Sequence, residues 1–183
     1  MAYLLRALIL LMMLSLIGVT LEAMGLIPVT LGHIQLAIAA FLTCIFIQAF
    51  VMFYFIGVSR LVRNIWAVLQ EGQGPGMEEL FSSPPQDLSP FIKKTKKCLA
   101  EATRCQRQTI PWTMLMLTLG TLAFLFGAAH DTGVAEKATH VGLVYGFLAA
   151  ATIGFFRQWH YLGKAHSLLR KIKGLYRLPD GRM

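Results

Sequence analysis

Apolar positions in this chain gather into four long runs, 4–29, 31–58, 111–129 and 138–156. An α-helix rises ~1.5 Å per residue, so each run carries the roughly 20 apolar residues needed to cross a ~30 Å hydrocarbon layer. A core helix of a soluble domain can also be apolar all round. Four of them in 183 residues, however, leave too little polar chain to cover them. In lipid every backbone N–H and C=O needs a partner within its own segment, which selects helices over open strands. The pattern predicts an all-α integral membrane protein with four transmembrane helices arranged as two helical hairpins.

Beyond the apolar runs the periodicity changes to that of half-buried helices. Leu61, Val62, Ile65, Trp66 and Leu69 make one stripe, and Leu168, Leu169, Ile172, Leu175 and Tyr176 make another. A third amphipathic stretch, 91–108, sets Cys98, Ala102 and Cys105 on one face, with Ser89 and Pro90 as its helix start. These extensions pack as a small bundle or lie along the headgroups. Between them, GQGPG and SSPP predict a stretch, 72–90, without a regular element. The division is thus a first hairpin with its extension (1–71), a flexible loop (72–90), and a second hairpin with its extensions (91–183).

Superposing the chain on itself with His33 on His140 also brings together Leu36 and Leu143, Tyr54 and Tyr161, Leu61 and Leu168, Arg63 and Arg170, and Ile65 and Ile172. Apolar helices match one another cheaply. The register is nevertheless one that an internal duplication would give, and the two hairpins would then be related by an axis along the membrane normal.

Charge sets the orientation. All but one of the 17 Lys and Arg residues fall at the N-terminal end of the first run, between the second and third, or after the core of the fourth. The exception is Lys137, in one of the two short connections 25–32 and 130–137. By the positive-inside bias, the N-terminus, the middle segment and the C-terminus face the cytoplasm. Arg6 ahead of an apolar stretch also resembles a signal peptide, but the stretch is long and carries no clear small-x-small cleavage site, so it reads as a retained span. The net charge of +8 is then a property of one face, suited to anionic lipid headgroups rather than nucleic acid.

Candidate chemistry is sparse. A nucleophile elbow, an HExxH pair, a phosphate loop and a CxxC are all missing from the sequence, so no catalytic residue is assigned. Cys44 lies mid-run, and Cys98 and Cys105 lie where thiols stay reduced, so no disulfide is expected. The polar residues that stand out lie at the end of the runs away from the positive charge. His140 is about 17 residues outward from Arg157, His33 lies near the same boundary, and Glu22 falls inside the first run. His130 and Asp131 close the third run. Ionisable groups at such depth face a bundle interior, a cavity or a partner.

These residues support three readings. Interfacial His and Glu can simply hydrogen-bond and orient the helices, leaving a non-catalytic subunit or scaffold of a larger membrane complex. His33 and His140 at matched depth could hold a haem b iron axially, as in an electron-transfer subunit. Glu22, His33, His130 and His140 could instead bind a transition metal. A small transporter or channel is a third function class, but the spans lack paired Gly or Pro breaks. Small residues Gly142, Gly146, Ala149 and Ala150 suit close helix packing, against other membrane subunits or a second copy.

Overall fold

The computed structural model describes residues 2–27, 32–72, 75–81 and 87–176. Arg177 and Arg182, with parts of the 25–32 and 72–90 connections, lie outside them. The described residues form five α-helices: α1 (Ala2–Ala23), α2 (His33–Glu71), α3 (Pro75–Leu80), α4 (Ser89–Asp131) and α5 (Lys137–Tyr176). Four of these are long and apolar enough to cross a membrane. With 39, 43 and 40 residues, α2, α4 and α5 run well past their apolar stretches, so each amphipathic extension is the same helix continued.

Pro111 lies inside α4 rather than at its start. Proline lacks the N–H that would bond the Arg107 carbonyl, which costs the helix one hydrogen bond. The start falls at Ser89, as the sequence predicts, where the Asp87 carboxylate accepts from the Ser89 N–H at 2.9 Å. The helix ends are also closed by local chemistry. Gly25 and Gly133 take φ of 71° and 75°, a left-handed conformation that a Cβ would strain. Each ends a helix with paired reverse bonds, Gly25 N–H to Glu22 and Leu26 N–H to Leu21 after α1, and Gly133 N–H to His130 and Val134 N–H to Ala129 after α4.

Contacts divide the chain into two compact units. The first comprises α1, α2 to Met52, α4 from Thr109 and α5 to His160. Its centre holds Ile9, Met12, Ile47, Val51 and Met116, and Phe41 stacks on Phe124 with ring centroids 5.1 Å apart. Among these apolar residues Gln48, Gln158 and Thr113 are fully buried, while Leu14, Phe46, Tyr145 and Phe156 are exposed. Apolar side chains outside and amides inside invert the pattern of a water-soluble bundle. Near the other end of α1, Arg6 lies over the Trp159 ring at 5.0 Å and donates to the Trp159 carbonyl.

The second unit comprises α2 from Phe53, α3, α4 to Gln108 and α5 from Tyr161. Val62, Ile65 and Leu69 of α2, Ala102 of α4 and Leu168, Ile172 and Tyr176 of α5 share one core. The three predicted stripes therefore meet as a bundle. Lys93, Lys94, Lys96 and Lys97 stay on the exposed face of α4. The prediction of no regular structure across 72–90 is corrected here. Pro75 opens α3 at a position where a missing N–H costs nothing, and Met77 of α3 is buried in the same core. Phe81, just after α3, packs edge-on against Phe91 and Tyr176. Burial pushes the Cys98, Cys105 and Tyr176 groups above their ordinary pKa values.

Candidate functional site

The site lies in the first unit, where α1 and α4 finish and α2 and α5 begin. Glu22 is in the last turn of α1 and His33 in the first turn of α2. Their side chains meet at 2.6 Å, Glu22 Oε2 on His33 Nδ1, with the carboxylate largely covered and the imidazole 46% exposed. His130 and His140 make the corresponding approach between α4 and α5, their rings nearly parallel with centroids 6.4 Å apart. Each of these two also donates through Nδ1 to a backbone carbonyl, His130 to Ala135 at 3.2 Å and His140 to Ala123 at 3.1 Å.

A carbonyl has no proton to give, so Nδ1 of His140 carries the proton. In the neutral ring Nε2 is then left as an acceptor. The same holds for His33 opposite the Glu22 carboxylate. Gly127 makes the seating of His140 feasible, because a Cβ there would stand 2.9 Å from His140 Cε1. The imidazole is thus held by the bare backbone of α4, the Ala123 carbonyl and the His130 ring.

His33 and His140 also line one cavity of about 280 Å³, together with side chains from all four helices of the unit. Leu16 and Ala23 come from α1, Ala37 and Phe41 from α2, Gly120 and Phe124 from α4, and Val144 and Leu148 from α5. The walls are mainly apolar. Thr20, the two histidines and Tyr145 supply the polar side chains of the lining, and the Thr20 hydroxyl is already committed to the Leu16 carbonyl.

The predicted haem pair thus shares a cavity. The predicted four-donor metal set is placed as two couples, Glu22 with His33 and His130 with His140. Among the described residues no group of three or more His, Cys, Asp and Glu side chains is arranged to hold a metal ion.

A second polar cluster was only half legible in the sequence. Gln158 Nε2 donates to Gln48 Oε1 at 2.6 Å and to the Thr113 hydroxyl at 2.9 Å, while Gln48 Nε2 reaches back to Gln158 Oε1 at 3.4 Å and to the Met12 sulfur at 3.2 Å. The cluster joins all four helices. Gln48 stands out inside an apolar run, but Gln158 follows Arg157 and reads as part of a polar boundary. Gln35 is exposed. Comparison with protein-family models, with curated proteins and with solved structures returns no match for this chain.

Proposed function

We propose that this chain is a four-span integral membrane protein, with both termini and the basic second unit in the cytoplasm, that serves as a non-catalytic subunit or scaffold of a larger membrane assembly. The apolar exterior of the first unit and its satisfied amide interior support insertion, since lipid tolerates the former and demands the latter. The one-sided distribution of Lys and Arg supports the orientation. The ties Glu22–His33 and His130–His140 each join consecutive helices, which supports two hairpins repeated in parallel.

The observation that carries the subunit reading is the outward face of α5. Gly142, Tyr145, Gly146, Ala149, Ile153 and Phe156 form one exposed stripe. A Cβ added at Gly142 or Gly146 would meet nothing within 4 Å. In lipid such small-x3-small stripes let a second helix approach backbone to backbone, gaining dispersion contacts that lipid tails do not supply. Purification from membranes in mild detergent, with mass by light scattering, tests the reading. A species heavier than one chain, reduced to one chain by Gly146→Leu, is expected, and a wild-type protein that is monomeric and alone counts against it.

A second reading, a haem b- or metal-binding electron-transfer subunit, is favoured by one observation. Imidazole ligands commonly have the other ring nitrogen hydrogen-bonded to a carboxylate or carbonyl, as at His33 and His140. Absorption spectra and metal analysis of the purified protein, alongside His33→Ala and His140→Ala, test it. A Soret band or stoichiometric metal lost in both variants is the expected sign.

A further inference from the structure

The cavity has direction. From His140 to Leu148 the lining of α5 runs about 12 Å at ~1.5 Å per residue, and the linings from Ala23 to Leu16 of α1 and from His33 to Phe41 of α2 run about 10 Å and about 12 Å. At the end where α2 and α5 begin, the wall carries two imidazoles. At the other end it carries Leu16, Phe41, Gly120, Phe147 and Leu148. A haem held by two histidines needs them on opposite faces of its centre with apolar walls around its rim. Imidazoles gathered at one end of an apolar lane suit a different shape.

We propose that this cavity binds a neutral amphiphile, its hydroxyl-bearing head donating to Nε2 of His33 and His140 and its hydrocarbon chain lying along Leu16, Phe41, Phe147 and Leu148. Each histidine has its Nδ1 proton committed to an oxygen of the protein, so in the neutral ring each offers an acceptor and calls for a donor from the ligand. An anionic head is disfavoured beside the Glu22 carboxylate. A volume of about 280 Å³ lies just below the ~300–1,000 Å³ typical of small-molecule sites, which fits one chain and a small head. His140 is prepared for the contact before any ligand arrives, being seated on Gly127 and stacked on His130. Such preorganisation lowers the ordering cost of binding.

The inference rests on the membrane reading, because the ligand reaches the cavity from the lipid phase. Two sources share the required chemistry, a quinol and a monoacylglycerol. The experiment is equilibrium binding to the full chain reconstituted in lipid nanodiscs, using a decyl-chain hydroquinone, its dimethyl ether and a ten-carbon monoacylglycerol as probes.

Saturable binding of one or both hydroxylated probes is expected, with the ether weaker by roughly three- to tenfold for a lost hydrogen bond. Whichever hydroxylated probe binds tighter identifies the source. His140→Phe weakens the hydroxylated probes by a similar factor and leaves the ether unchanged, and His140→Gln, which keeps an acceptor, recovers part of the loss. Ala37→Phe, which fills the lane, abolishes all binding. Equal binding of the ether, or undiminished binding by the filled variant, overturns the proposal, as does haem or metal co-purifying at one equivalent and lost in His140→Phe. A chain that does not enter nanodiscs sinks the membrane reading, whereas one that enters and binds nothing sinks only this inference.

Discussion

Buried amides are held by one another in the first unit, and their energetics are those of a pair. Gln158→Leu strands the Gln48 carbonyl, which accepts at 2.6 Å in the intact pair. An unsatisfied buried acceptor costs about 1 to 3 kcal/mol, whereas replacing both partners by apolar groups of similar shape is nearly neutral. The single variants should therefore lose stability in detergent denaturation, and the double variant Gln48→Leu/Gln158→Leu should recover most of it. Additive losses would show that the amides act separately.

Gly127→Ala tests a different contact. Its Cβ would stand 2.9 Å from His140 Cε1, so the ring must shift, which should weaken its bond to the Ala123 carbonyl. The nitrogen spectrum of labelled His140 should then show mixed tautomers, and an unchanged single tautomer would mean that Gly127 does not seat the ring. Glu22, His33, His130 and His140 were visible in the sequence because ionisable groups inside or beside apolar runs are conspicuous. Gln158 and Thr113 were not, since their partnership depends on how each helix is rotated about its axis, which composition does not reveal.

Periodicity carried the element scale well where a stripe had a helix to lie on. Val62, Ile65 and Leu69, and equally Leu168, Ile172 and Tyr176, are buried as their spacing predicts. It failed at α3 because Gly and Pro dominate 72–80 and mask a short helix that packs through Met77 and Leu80. Met77→Ala should destabilise the second unit by about 2 kcal/mol, the low end for a buried methionine, and expose Phe81 and Phe91. Protease cleavage near α3 should rise accordingly. Alkaline pH should act on the same unit. Cys98, Cys105 and Tyr176 are all shifted upward, chiefly by burial, so the folded state keeps protons that the unfolded chain releases. Their stabilising share is complete below the unfolded values, ~8.5 for thiol and ~10 for phenol, and is lost as pH rises through the higher folded values. Unfolding followed from pH 8 to 11 should show this decline, and Cys98→Ser/Cys105→Ser should flatten its first part.

At the scale of the molecule, the four runs and their all-helical consequence were legible because length and hydropathy suffice for them. The division into two compact units was not, since it cuts α2, α4 and α5 part-way along rather than at any loop. What composition does supply is a charge map, and it yields the sharpest whole-molecule test of the proposed orientation. Lys137 begins α5, while Lys93, Lys94, Lys96 and Lys97 occupy the exposed face of α4 in the other unit. With both termini in the cytoplasm, a membrane-impermeant amine reagent applied to intact cells reaches Lys137 alone. After permeabilisation it reaches the α4 lysines as well. Mass spectrometry of the labelled peptides separates these sites, and Lys137→Gln should abolish labelling in intact cells. Labelling of Lys93 through Lys97 before permeabilisation, with Lys137 protected, would require the inverted orientation and would place the histidine end of the cavity on the cytoplasmic side.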